Sequence, residues 1–66
     1  MNNNNKHKKI GEILLDSGKI NIIQLGMALD IQKFQKVKLG QILIEMHVIN
    51  NKDLENALKI QRNGNL

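Results

Sequence analysis

KIGEILLDSGKINIIQLGMALDIQ, residues 9–32, is written a second time, with changes, as KLGQILIEMHVINNKDLENALKIQ, residues 38–61. Shifting the chain by 29 aligns the two blocks of 24 residues, and 11 of the aligned pairs are identical. They include Lys9/Lys38, Gly11/Gly40, Leu14/Leu43, Asn21/Asn50, Leu25/Leu54, Ala28/Ala57, Leu29/Leu58 and Gln32/Gln61. Chance does not produce such a match in a 66-residue chain, so the sequence is a duplication joined by a linker, residues 33–37. Each copy is one unit of structure, and reading one copy reads the fold.

Within a copy the apolar residues recur with helical spacing. Ile10, Ile13 and Leu14, and again Leu39, Ile42 and Leu43, stand at i, i+3, i+4, which predicts a short first helix. Gly18 fits the left-handed residue that ends such a helix. In the second copy His47 takes that place, and histidine tolerates the conformation at a cost on the order of 1 kcal/mol. A second helix is predicted to start at Asn21 and at Asn50, both good N-caps, with Gln24 or Asp53 three residues later in a capping-box arrangement. It carries Leu25, Ala28, Leu29 and Gln32, or Leu54, Ala57, Leu58 and Gln61, at i, i+3, i+4, i+7. No strand alternation and no hairpin turn signal interrupts these patterns. The expected fold is all-α: four short helices forming two repeated helical hairpins with approximate two-fold symmetry. Residues 1–8 read as a solvated Asn/Lys tail, 9–61 as the domain and 62–66 as a C-terminal tail.

Composition narrows the function. The chain is 41% hydrophobic, but Phe34 is its only aromatic residue, so the core is aliphatic. Cysteine is absent, which removes disulfides and thiolate metal sites. The apolar runs are too short to cross a membrane, and MNNNNKHKK lacks the hydrophobic segment of a signal peptide. A cytoplasmic location without membrane insertion is therefore expected. Neither His7 nor His47 has a second ligand at metal spacing, and the carboxylates form no constellation with a nucleophile. No enzyme and no cofactor are expected. The net charge of +4 favours an anionic partner without choosing among nucleotides, nucleic acids, acidic proteins and lipids. A DNA- or RNA-reading helix is not expected, because residues 21–32 offer no basic side chain to a groove and Lys52, Lys59 and Arg62 are mixed with Asp53 and Glu55.

The glutamines point further. Gln32 shares a helix face with Leu25 and Leu29, and Gln61 with Leu54 and Leu58. Two leucines make an apolar floor and the carboxamide gives one donor and one acceptor at its edge, a shape that receives a planar, polar-rimmed group. Leu29 and Leu58 would be floor and core together. Lys9 or Lys38 supplies a cation for a phosphate or a base face, and Gly11 or Gly40 leaves room for backbone to approach a ligand. Two such half-sites suit a ligand with two bases and two phosphates. The same residues are also compatible with exposed helix ends, ordinary core and tight helix packing.

Both blocks resemble the paired 24-residue motif RLGxxLxxxGxxxxxxLxxxLxxQ of the MshEN domain, the N-terminal domain of MshE-type ATPases of type II secretion and type IV pilus assembly. The resemblance runs from residue 9 to residue 61, and the linker KFQKV has the family's spacer length. It implies a receptor for cyclic di-GMP, each motif holding about one guanylate half. By position, the implied ligand-binding residues are Lys9, Ile10, Gly11, Leu25, Leu29 and Gln32, with Lys38, Leu39, Gly40, Leu54, Leu58 and Gln61 in the second motif. Lysine stands in both copies where the motif has arginine, and His47 where it has its second glycine. The expected role is a stand-alone sensor or adaptor that signals to a protein effector of secretion, pilus or motility machinery. The alternative is a helical interaction or dimerisation module that binds no nucleotide.

Overall fold

The computed structural model of the chain describes residues 8–63. It consists of four helices: α1 (Ile10–Asp16), α2 (Ile22–Phe34), α3 (Leu39–Glu45) and α4 (Asn51–Asn63). No strand is found among the described residues. The fold is all-α, with one short and one long helix per copy. No described helix is long and apolar enough to cross a membrane.

The helix boundaries follow the local chemistry. The Asn21 side chain accepts the Gln24 backbone N–H at 2.8 Å, and the Gln24 side chain accepts the Asn21 N–H at 2.8 Å. Asn50 and Asp53 make the same reciprocal pair at 2.8 and 3.1 Å. Each box satisfies two of the amide donors that a helix start leaves free. At Lys9 only half of this is possible: Glu12 accepts the Lys9 N–H at 3.1 Å, but an ammonium has no acceptor to return.

Both short helices end in the same way. After α1, Gly18 adopts φ 78° while Lys19 N–H reaches Leu14 O at 3.0 Å and Gly18 N–H reaches Leu15 O at 3.1 Å. After α3, His47 adopts φ 62°, Val48 N–H reaches Leu43 O at 3.1 Å and His47 N–H reaches Ile44 O at 2.9 Å. These are two Schellman stops, each needing one left-handed residue. Glycine takes that conformation freely; histidine does so against its own Cβ.

The buried apolar side chains are Ile13, Leu14, Ile20 and Ala28 in one copy and Ile42, Leu43, Ile49 and Ala57 in the other. Every one of them has its partner 29 residues away among the others, so the two copies bury the same four positions. Ile20 and Ile49, outside both predicted helices, enter the core from the loops that precede α2 and α4. The packing crosses between copies: α1 lies chiefly on α4, α2 chiefly on α3, and α1 also meets α3. Each short helix thus leans more on the other copy's long helix than on its own.

The domain edges extend beyond the repeat. Lys8 pairs with Asp16 and so is held against α1 rather than lying free. At the other end α4 continues through Arg62 and Asn63. The rest of the expected tails, residues 1–7 and 64–66, lie outside the described residues.

The histidine stop carries a measurable cost. His47→Gly is expected to stabilise the fold by about 1 kcal/mol, and Gly18→Ala to destabilise it by a similar amount, because nothing within 4 Å of Gly18 opposes a methyl group and only its φ does. Thermal melts should show opposite shifts of about 4–8 °C; equal and small shifts would mean that the left-handed residue is not under strain at either stop.

Candidate functional site

Gln32 stands near the end of α2 and Gln61 near the end of α4, each one turn past an exposed leucine. Their amides do the same thing. Gln32 Nε2 donates to the carbonyl of Val37 at 3.2 Å, and Gln61 Nε2 donates to the carbonyl of Lys8 at 3.1 Å. Val37 and Lys8 are themselves 29 residues apart and immediately precede the lysines that open the two copies. Each glutamine therefore ties the end of a long helix to the chain entering a short one. Gln61 joins residues 53 positions apart, closing the end of the domain onto its beginning.

The glutamines also meet in one place. A groove of about 440 Å³ is lined by Gln32 and Gln61 together with Ile10 and Leu39, which occupy equivalent positions in the two copies. Lys38, Gly40, Leu54 and Leu58 also come from the second copy. The volume lies within the usual range for small-ligand sites. The lining is mainly aliphatic, with carboxamides and one ammonium as its polar groups. Gln41 joins them and was missed by the repeat argument, since its counterpart in the first copy is Glu12 and the match breaks there.

Lys9, Gly11, Leu25 and Leu29, the remaining residues singled out from the sequence, do not line this groove. Lys9 is exposed at the start of α1. Gly11 is buried, and a Cβ placed on it would stand 2.8 Å from Leu25 Cδ1 and 3.0 Å from Leu39 Cδ2. At Gly40 a Cβ would stand 2.6 Å from Leu54 Cδ1. The room over both glycines is filled by a leucine of the same copy's long helix. Their role in this structure is close helix packing, not the approach of backbone to a ligand, although Gly40 still borders the groove. Leu29 and Leu58 are 43% and 38% exposed, so the expectation that they serve as core as well as floor is corrected. Ala28 and Ala57 hold the core positions beside them.

The electrostatics are simple. The Lys8 ammonium is held above the ordinary lysine range by its hydrogen bond and charge pairing with Asp16, outside the groove. Among the described residues, Lys38 is the one cation on the groove wall. Among the described residues no group of three His, Asp or Glu side chains is placed to hold a metal ion.

No family model matches the chain, and neither a curated protein nor a solved structure was found to match it.

The hydrogen bonds make the glutamines part of the fold as well as of the groove. Gln61→Ala is expected to lower unfolding free energy by about 1 kcal/mol, the usual net worth of such a bond. Gln32→Ala should cost less, because its bond is exposed and spans five residues only. Urea denaturation of the two variants measures both; a Gln61→Ala protein as stable as the parent would show that the Lys8 carbonyl is equally well served by water.

Proposed function

We propose that this chain is a receptor module for cyclic di-GMP, taking one dinucleotide across the two motifs and passing its occupancy to a protein effector. The observation that carries the reading is that Gln32 and Gln61, the same residue of two copies, converge on one groove floored by leucines and flanked by Lys38. Each amide spends one N–H on a backbone carbonyl, which fixes its orientation. A carboxamide held this way keeps further donor and acceptor capacity for the edge of a planar base. Lys38 supplies the charge for a phosphate, and the paired Ile10 and Leu39 supply apolar contact from both copies. The motif resemblance and the groove support the same ligand class by separate routes. In this reading the module performs no catalysis, and its output is a change in what it binds.

The arrangement refines which side chains matter. Lys38 borders the groove and Lys9 does not, so the two lysines are not equivalent in the proposal. Leu58, exposed on the groove wall, serves contact rather than core, and Leu29 lies off the groove.

Calorimetric titration of cyclic di-GMP into the whole chain should give a 1:1 complex, tighter than with linear dinucleotide, cyclic di-AMP or GTP. Lys38→Arg should tighten it by roughly 1 kcal/mol per new charge-assisted bond, with a smaller gain for Lys9→Arg. Ligand at about 100 times its dissociation constant should add about 2.7 kcal/mol of stability. Absence of heat at high ligand concentration, with no shift in melting temperature, would end the receptor reading. It would leave the interaction module, which the exposed apolar residues of α2 favour.

A further inference from the structure

The two long helices are copies, yet their outer faces differ in kind. On α2 the solvent side carries Ile22, Ile23, Met27 and Phe34, which are 67%, 70%, 53% and 88% exposed. The same four positions of α4 carry Asn51, Lys52, Asn56 and Asn63. Duplication put equivalent helices in equivalent surroundings, and only one of them has a water-compatible face. The exposed apolar residues of α2, with Leu29 at their edge, amount to on the order of 600 Å² of apolar surface. That is at the upper limit for the largest apolar patch of a typical monomer.

Gly26 adds an independent observation. It lies mid-helix on this exposed face, with nothing within 4 Å of where its Cβ would be. A glycine in a helix interior weakens the helix, and within one chain Gly26 brings no compensating contact. Gly11 and Gly40 are different, because each admits a leucine. Position 26 has the same property, an absent side chain, but among the described residues nothing fills the space it leaves. Its counterpart in α4 is Glu55.

We propose that the outer face of α2 is a homodimer interface, in which two copies of the chain cross at Gly26 with their helices in close contact. Ile22 and Ile23 lie one turn before Gly26 and Leu29 one turn after it. A two-fold axis through the glycine sets the isoleucines of one copy against the leucine of the other, an isologous contact. Residues 21–29 contain no charge, so the crossing brings no like charges together. Beyond it, Asp30 and Lys33 neutralise one another on the same helix at 3.6 Å. Complete burial of two such faces would remove at most on the order of 1,200 Å² in total, the lower end for a specific interface and suited to a weak, reversible dimer. The segments outside the described residues, 1–7 and 64–66, hold only Met1 and Leu66 as large apolar side chains. The proposal does not depend on the nucleotide reading.

Sedimentation velocity of the whole, nucleotide-free chain from about 10 μM to about 1 mM tests it, with circular dichroism to follow folding. The parent should pass from monomer to dimer over this range. Ile23→Lys with Met27→Asn, the residues that α4 carries there, should stay monomeric with unchanged helicity, since both side chains are solvent-exposed. Gly26→Ala is the sharper variant: it should raise the melting temperature of the dilute monomer and weaken dimerisation by ~10-fold or more. Added salt should strengthen the dimer, because it screens the like net charges of two copies without touching apolar contact. A parent that is monomeric up to about 1 mM overturns the proposal and leaves the face to a different protein. So does a dimer that persists in the Ile23→Lys, Met27→Asn variant, or one that Gly26→Ala strengthens, or one that dissociates as salt is added.

Discussion

Helices of seven residues do not stand alone in water, because the cost of nucleation is not recovered over two turns. α1 and α3 are both of this length, and everything else in the structure follows from the need to support them. Each presents an isoleucine and a leucine that are almost fully buried, Ile13 and Leu14 or Ile42 and Leu43. The surface that buries them comes mainly from the other copy. Gly11 and Gly40 let the leucines of the same copy's long helix close in from the remaining side. A single copy would leave its short helix half-covered, which is a physical reason for the motif to occur in pairs.

The same dependence places the groove. Where α1 and α3 begin, the chain enters from Lys8 and from Val37, and both carbonyls are held by a glutamine from the end of a long helix. The starts of both short helices and the ends of both long helices therefore gather around one cavity, and the copies contribute to it jointly. A side chain that fixes the backbone at a cavity wall is also pre-organised as a ligand-contacting group, since its rotamer is already set. The glutamines thus link the stability of the domain to the geometry of its candidate site. The division of labour between copies is uneven, with Lys38, Gly40, Leu54 and Leu58 on the wall and their first-copy counterparts off it.

Divergence between the copies is concentrated on the outside. The four buried pairs are identical, while the positions facing solvent on α2 and α4 differ in polarity. A buried position is constrained by volume and shape, and two equivalent cores accept the same residues. An outer face has no such constraint from within the chain. An apolar face retained there, with a bare glycine at its centre, answers to something outside the chain.

Much of this was legible in the letters. The shift of 29 established the duplication, the i, i+3, i+4 spacing established the helices, and Asn21, Asn50, Gly18 and His47 marked their limits. These features rest on hydrogen bonds and dihedral angles within a few residues, so local sequence is enough to specify them. The repetition of Gln32 and Gln61 was also visible, but not the carbonyls they hold, one of them 53 residues distant. Periodicity states which face of a helix is apolar and is silent on what covers it. Only the tertiary structure decided that leucines fill the space over Gly11 and Gly40, that Leu29 and Leu58 stay at the surface, and that none of the described residues lies over Gly26. The reason is that helix formation is settled by neighbours along the chain. Burial is settled by which distant surfaces meet, and four helices of similar apolar pattern meet in the one arrangement that covers both short ones.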